Sequence, residues 1–252
     1  MLDIESMRVR PPVWLELEGT HNTRDLGGYS TSSGSFTRFG TTFRSDTLEN
    51  ATAADAVKLK SIGIELIIDL RTFEESTASL GRYRLAHDEQ IKYVCLPAIP
   101  EGVMATRVFP IGDPIAIGDL YFENLIECKE SWGAALALLT KSGPTILHCA
   151  AGRDRTGAMS AILLSNAGVS DEEVALDYTA TSSRIRLLHD QLARNPFYSD
   201  SQVTDPSQMT AEPAAIYRFL DRIRGEFGSV ESLTNTLTGD PEASELLRRR
   251  LV

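Results

Sequence analysis

The chain reads as an α/β protein: a central, mostly parallel sheet flanked by helices, closed into a single domain over residues 1–252. Three observations predict this. Ile64–Asp69, Ile91–Cys95 and Pro144–His148 are apolar runs of strand length, with Ile64–Asp69 expected near the centre of the sheet. Helical patterns alternate with them, the arrangement that covers a parallel sheet on both faces. The length suffices for one large domain with a generous core, and no second composition regime interrupts it.

Residues 1–12 read as a loose arm, and Val13–Glu18 alternates in polarity like an edge strand. Turn signals at Gly27-Gly28 and Thr31–Ser35 precede a hairpin arm over Phe36–Phe43. Arg24-Asp25, just before the glycine pair, is either a turn held by an Arg–Asp pair or a rim contact to substrate. Thr52-x-x-Asp55 resembles a capping box and opens a helix that stops at Gly63. Thr72-x-x-Glu75 is a second capping box, so Arg71 sits in a β–α turn at the carboxyl edge of the sheet, where open α/β folds bind ligands. Pro97–Gly118 is apolar yet rich in Pro and Gly, and is expected to cover the site. Helical periodicity spans Leu120–Leu139, and Ser170 caps a helix through Tyr178. Arg194–Pro213 is polar and reads as a lid or, more simply, a solvated linker. Helices are expected at Ala214–Phe227, Ser229–Leu237 and Pro241–Leu251.

The chemistry concentrates after the third strand. Cys149 ends it, and Arg155 follows after five intervening residues, where the pattern Ala158–Leu164 turns helical. Five residues can curl into a cup whose backbone N–H groups point inward, a nest for a tetrahedral oxyanion. A helix N-terminus adds free N–H groups and about half a positive charge. The arginine supplies a planar fork for two phosphate oxygens. Such a field favours thiolate over thiol, so Cys149 is expected to be a nucleophile with a depressed pKa, roughly 3.5–7.5. Gly152 and Gly157 have the spacing of a nucleotide-binding loop, but Ala158-Met159 stands where that loop requires Lys-Ser/Thr, which excludes it.

The string His148-Cys-Ala-Ala-Gly-Arg-Asp-Arg-Thr-Gly157 resembles the signature of the cysteine-dependent protein tyrosine and dual-specificity phosphatase superfamily. It is close to the His-Cys-x-Ala-Gly-Lys-Asp-Arg-Thr-Gly of the bacterial atypical lipid phosphatases, with Arg153 in place of the usual lysine. Asn22-Thr-Arg-Asp-Leu-Gly-Gly28, Arg44-Ser-Asp-Thr47, Asp69-Leu-Arg-Thr72 and Phe227-Gly-Ser-Val230 extend the likeness along most of the chain. The resemblance implies a phosphatase fold and a phosphomonoester hydrolase that passes through a cysteinyl-phosphate. It also implies substrates among phosphotyrosine, phosphoserine or phosphothreonine, and phosphoinositides. The alternative is a silent phosphate-binding module built on the same loop.

Within that reading Cys149 attacks phosphorus, and Arg155 and the loop residues Ala150, Ala151, Gly152, Arg153 and Gly157 bear the charge of the phosphoryl oxygens. Thr156 can hydrogen-bond the sulfur, and His148 orients the loop backbone. A carboxyl must protonate the leaving group, and no Trp-Pro-Asp tripeptide occurs to supply it. Asp154 and Asp69 are the candidates. Asp154 is preferred because the Asp-Arg-Thr ending is similar to the loops of the myotubularin and Sac phosphoinositide phosphatases. Arg24, Asp25, Arg44 and Arg71 are expected to contact substrate, and Arg153 to grip a second phosphate. Cys95 is expected to end a strand near the catalytic one and to cap an oxidised Cys149 as a disulfide, although a buried core thiol is the simpler role.

The balance of 35 acidic against 25 basic residues argues against nucleic acid as a partner, while the loop's local field still admits anionic esters. Three cysteines suggest no disulfide framework, and no signal peptide or membrane-spanning run is present, so a cytoplasmic protein is expected. Some members of the resembled group are exported without a recognisable signal. The histidines are too scattered for ligand spacing; neither metal nor cofactor is expected.

Overall fold

The computed structural model describes residues 11–78, 84–103, 110–195, 197–198 and 205–252. Most of the expected N-terminal arm, and residues 104–109, 196 and 199–204 of the expected cover and linker, therefore lie outside the described residues.

Six strands form one sheet among the described residues: β1 (Val13–Trp14), β2 (Arg24–Asp25), β3 (Thr42–Ser45), β4 (Leu66–Asp69), β5 (Lys92–Cys95) and β6 (Thr145–His148). Their order is β1-β2-β3-β6-β4-β5. The β3–β6, β6–β4 and β4–β5 pairs are parallel, and β1–β2–β3 is an antiparallel extension. Residues of β4 and β6 are buried on both faces. Leu66, Ile68 and Leu147 enter the larger core, while Ile67, Ile146 and Phe43 enter the smaller core on the opposite face. That alternation is the period-two geometry of a strand covered on both sides.

Helix α1 (Ala53–Ser61) covers the smaller core, sending in Ala56 and Leu59. Helices α3 (Pro114–Glu127), α4 (Lys129–Leu139), α5 (Asp154–Asn166), α6 (Asp171–Ala180), α8 (Pro213–Phe227), α9 (Val230–Thr238) and α10 (Ala243–Leu251) build the larger one. Between them lie α2 (Phe73–Thr77) and α7 (Ile185–Ala193). Both expected capping boxes form: Thr52 with Asp55, and Thr72 with Glu75.

Several local expectations shift. The helix expected over Leu120–Leu139 is two helices, broken at Cys128, whose backbone leaves the helical region. The first starts earlier, at Pro114, because Asp113 accepts from the Ile115 and Ala116 amides and Pro at the first helical position needs no partner for its nitrogen. The hairpin over Phe36–Phe43 reduces to a bridge between Ser30 and Phe36, followed by β3. Helix α7 is absent from the sequence reading, although Ile185, Leu188 and Leu192 stand at helical spacing; of its nine residues only Leu188 is buried.

The parallel register aligns Ser45, His148, Asp69 and Cys95 as successive partners across β3, β6, β4 and β5. The loop after β6 therefore leaves from the middle of the sheet's carboxyl edge.

Candidate active site

The loop from Cys149 to Arg155 is bent by its neighbours. Gly152 has φ +67, and a Cβ there would stand 2.4 Å from the Ser45 carbonyl oxygen, so only glycine fits. Three successive carbonyls each meet a donor from outside. The Thr47 amide donates to Ala150 O at 2.9 Å, Asn22 Nδ2 to Ala151 O at 2.8 Å and Arg44 Nη2 to Gly152 O at 2.6 Å. Because the peptide group is planar, carbonyls held outward turn the amides that share those planes inward. Among the described residues, no protein acceptor meets the N–H groups of residues 150–155. The result is a cup of free donors at the start of α5, with Cys149 at its base.

Behind the cup lies Asp177, on α6. Arg24 and Arg44 are direct cross-strand partners on β2 and β3, a placement that repels unless a counterion intervenes. Asp177 is that counterion: Arg24 Nε donates to it at 2.9 Å, Arg44 Nη1 donates to its other oxygen, and Tyr29 Oη donates at 3.1 Å. Burial raises the Asp177 carboxyl, but Arg24 and Arg44 outweigh that and hold it below the ordinary carboxylate range. Arg24 and Arg44 are fully buried. They do not line the cup as substrate contacts; they hold it from behind. Asp25 likewise faces inward, accepting from the amides of Gly27 and Gly40, and no Arg24–Asp25 pair forms.

Arg155 is held end-on. Its Nη1 donates to Glu75 Oε2 at 2.5 Å and its Nη2 to Oε1 at 2.9 Å. Glu75 Oε2 also closes the capping box by accepting from the Thr72 amide at 2.8 Å, and Tyr198 Oη donates to Oε1 at 2.6 Å. Burial disfavours the guanidinium charge, but Glu75 first, then Cys149 and Tyr198, keep it firmly protonated. The remaining N–H groups of the fork are available to an oxyanion.

The two acid candidates separate by exposure. The Asp154 side chain is 35% exposed, whereas that of Asp69 has no exposed surface. Asp154 Oδ1 accepts from Tyr121 Oη at 2.5 Å, and Arg153 Nε bridges both its oxygens at 3.0 and 3.1 Å. Tyr121 Oη also lies 2.8 Å from Tyr178 Oη. Burial pushes the Asp154 carboxyl up, but Arg153, Tyr121 and Arg155 more than offset it, and the net direction is down.

Asp69 is enclosed by donors: the Arg71 amide at 3.0 Å, Arg71 Nη2 at 2.8 Å and Tyr93 Oη at 2.8 Å. Against the cost of burial, His148 and Arg71 hold its carboxyl down to about 2. A carboxylate so enclosed has no surface from which to give a proton, which argues against its expected role as acid. Arg71 is also fully buried, its Nη1 donating to Glu49 at 2.9 Å, so it braces Asp69 rather than touching substrate. His148 Nδ1 lies 3.0 Å from the Cys149 carbonyl, the geometry of an orienting group; burial lowers its pKa, and the neighbouring Asp69 charge opposes that shift.

Among the described residues Thr156 Oγ1 is buried without a hydrogen-bond partner, so its expected bond to the Cys149 sulfur does not form in this structure. Gly157 packs where a Cβ would stand 2.8 Å from the Tyr178 ring. Cys95 is two strands from β6, separated by β4. Adjacent strands lie about 4.8 Å apart, so two steps exceed the ~4.4–6.8 Å Cα separation of a disulfide. The expected Cys95–Cys149 bridge is therefore excluded by strand order. The Cys95 thiol donates to the Arg71 carbonyl, and burial followed by the nearby Asp69 charge raises its pKa to about 11.

The family model described as the tyrosine phosphatase family matches residues 15–252. The chain belongs to this family. It is 28% identical over 179 residues to a predicted tyrosine-protein phosphatase of Cupriavidus necator, covering 68% of this chain and 63% of that protein. It is 28% identical over 141 residues to a tyrosine-protein phosphatase of Nostoc commune, covering 55% of this chain and 47% of the other. The chain thus spans under two thirds of the length of these curated relatives. The solved phosphotyrosine complex of P. aeruginosa TpbA overlaps 77% of this chain and all of its own, at 15% identity and a TM-score of 0.39. An overlap that loose carries no argument about the site.

Within this family chain the structure brings Cys149 and the first-turn residues of α5, Asp154, Arg155 and Thr156, to one cup and sets Arg24, Asp25, Arg44, Asp69 and Arg71 into the layer beneath. The sequence reading missed Asp177, Tyr121 and Tyr198 and gave Glu75 only a capping role. A polar residue on an apolar helix face was the available signal for Asp177. Tyr198 left none, since its partner lies 123 residues away. Among the described residues no helix is long and apolar enough to cross a membrane.

Proposed function

We propose that this chain is a cysteine-dependent phosphatase acting on phosphotyrosine through a cysteinyl-phosphate. The observation that carries the reading is the cup: three carbonyls tied back by Thr47, Asn22 and Arg44, so that the intervening amides face the space above Cys149. Donors fixed before the substrate arrives stabilise the charge of the transition state without reorganisation. Cys149 Sγ attacks phosphorus as the bond to the phenolic oxygen breaks, with the amides and Arg155 on the equatorial oxygens. Asp154 protonates the departing oxygen and then, as base, takes a proton from the water that cleaves the sulfur–phosphorus bond. Its resting carboxyl lies low, but a phosphate dianion entering beside it opposes ionisation and raises it toward the working range.

The family match supports a phosphomonoester on protein. Arg153 is engaged with Asp154 through Nε, and the other arginines of the loop and the layer beneath it have carboxylate partners. Arg153 Nη1 is buried without a hydrogen-bond partner among the described residues, so the site keeps a donor that a second phosphate could meet.

The test is hydrolysis of a phosphotyrosine peptide, a phosphoserine peptide and phosphoinositide vesicles by wild type and Cys149→Ser. Cys149-dependent turnover fastest on phosphotyrosine supports the reading. Phosphoinositide turnover fastest overturns the substrate class, and equal background rates for both proteins leave only the silent phosphate-binding module.

A further inference from the structure

Tyr198 and Asn195 stand on one short stretch of chain, and each ends on a different carboxylate of the site. Tyr198 Oη donates to Glu75 Oε1 at 2.6 Å, the same oxygen that accepts from Arg155 Nη2. Asn195 Nδ2 donates to Glu49 Oε1 at 2.6 Å, and the other oxygen of Glu49 holds Arg71. The stretch is braced internally: the Phe197 amide donates to Asn195 Oδ1 at 2.9 Å, and the Phe197 and Tyr198 rings meet edge to face at 5.1 Å. This is not how a solvated linker behaves. Tyr198 is 8% exposed, and its hydroxyl resists ionisation because burial and then the Glu75 charge both oppose it.

We propose that Tyr198 is a positioning residue for the reaction, fixing Glu75 so that Glu75 fixes the fork of Arg155. The inference rests on the phosphatase reading above. An ionised carboxylate offers about four acceptor sites. Glu75 fills them with the Thr72 amide, two nitrogens of Arg155 and Tyr198. Removing the Tyr198 hydroxyl empties one site, frees the carboxylate to rotate and returns its full charge to Arg155. Both effects draw the guanidinium away from the phosphoryl oxygens, and a displacement on the order of 1 Å costs up to ~10²-fold in rate. Asn195 holds the same stretch at its other end, so the reaction depends on residues that approach the cup from outside the sheet.

The experiment pairs Tyr198→Phe with Arg155→Lys and the double variant. Tyr198→Phe is expected to lower kcat roughly 10-fold on an aryl phosphate while KM rises only about threefold, the split of an interaction that is stronger in the transition state than in the ground state. In the Arg155→Lys background the same change should cost less than about twofold, because the group it positions is gone. A parallel arm needs no turnover: inorganic phosphate binding to Cys149→Ser, followed by calorimetry, should weaken roughly threefold or more on adding Tyr198→Phe. Unchanged kcat and unchanged phosphate affinity would overturn the proposal. So would an equal loss in both arginine backgrounds, which is the mark of a ring that merely fills space. If wild-type turnover does not depend on Cys149, the phosphatase reading fails instead, and the phosphate-binding arm still decides the role of Tyr198.

Discussion

Arg44 Nη2 donates to the Gly152 carbonyl at 2.6 Å, across 108 residues of sequence. That bond places a strand arginine behind the tightest point of the cup. The same guanidinium is neutralised by Asp177, which also neutralises Arg24 opposite it. One carboxylate on α6 therefore stabilises two like charges on adjacent strands and, through Arg44, the direction in which the loop amides face.

Asp177→Asn should be strongly destabilising, because it leaves two buried guanidinium groups without their charge partner. The expected loss is about 3–5 kcal/mol, the range for removing one partner of a buried pair. Urea denaturation measures it. Arg44→Lys keeps the charge but not the fork, so it should lose far more activity than stability. A loss below about 1 kcal/mol for Asp177→Asn would show that the hub contributes little.

The acid assignment is read from leaving-group dependence. Nitrophenolate departs without a proton, whereas an alkoxide does not. Asp154→Asn should cost little on p-nitrophenyl phosphate and ~10²–10⁴-fold on an alkyl phosphate. Asp69→Asn should lower both rates by the same factor, since Asp69 acts only through the scaffold. If the widening gap belongs to Asp69→Asn, Asp154 is not the acid.

Asp69 also predicts a pH dependence of stability. Its carboxyl ionises at about 2 in the fold, below the ordinary value near 4. Its contribution is complete above that ordinary value and disappears as pH falls from about 4 through 2. A shift of this size corresponds to about 2 kcal/mol. The stability difference between wild type and Asp69→Asn should be large at pH 7 and shrink across that window. A difference that stays constant down to pH 2 would refute the assignment.

Peroxide should oxidise Cys149 without linking it to Cys95, because β4 stands between their strands. Mass spectrometry of treated protein is expected to find sulfenic or higher acids at Cys149 and no cross-linked peptide. Detecting a Cys95–Cys149 peptide would mean that the strand order is wrong.

The sequence by itself determined what is local. Apolar runs marked β4, β5 and β6; Thr52-x-x-Asp55 and Thr72-x-x-Glu75 marked helix starts; and Cys149, Gly152, Arg155 and Gly157 spelled out a phosphate cup within nine residues. These follow from short-range periodicity, backbone conformation and spacing, which need no knowledge of the rest of the chain. Tertiary structure decided which charges meet. Arg24, Arg44 and Arg71 read as substrate contacts, with a structural turn weighed only for Arg24-Asp25, until the sheet order β3-β6-β4 buried them and gave them Asp177 and Asp69. Asp154 was preferred to Asp69 by resemblance alone until exposure separated them. Tyr198 lay in a stretch polar enough to pass for linker, yet its hydroxyl reaches Glu75 from 123 residues away. The reason is physical: in a low-dielectric interior a charge takes its role from whichever partner the fold brings within about 3 Å, and sequence separation carries no record of that distance.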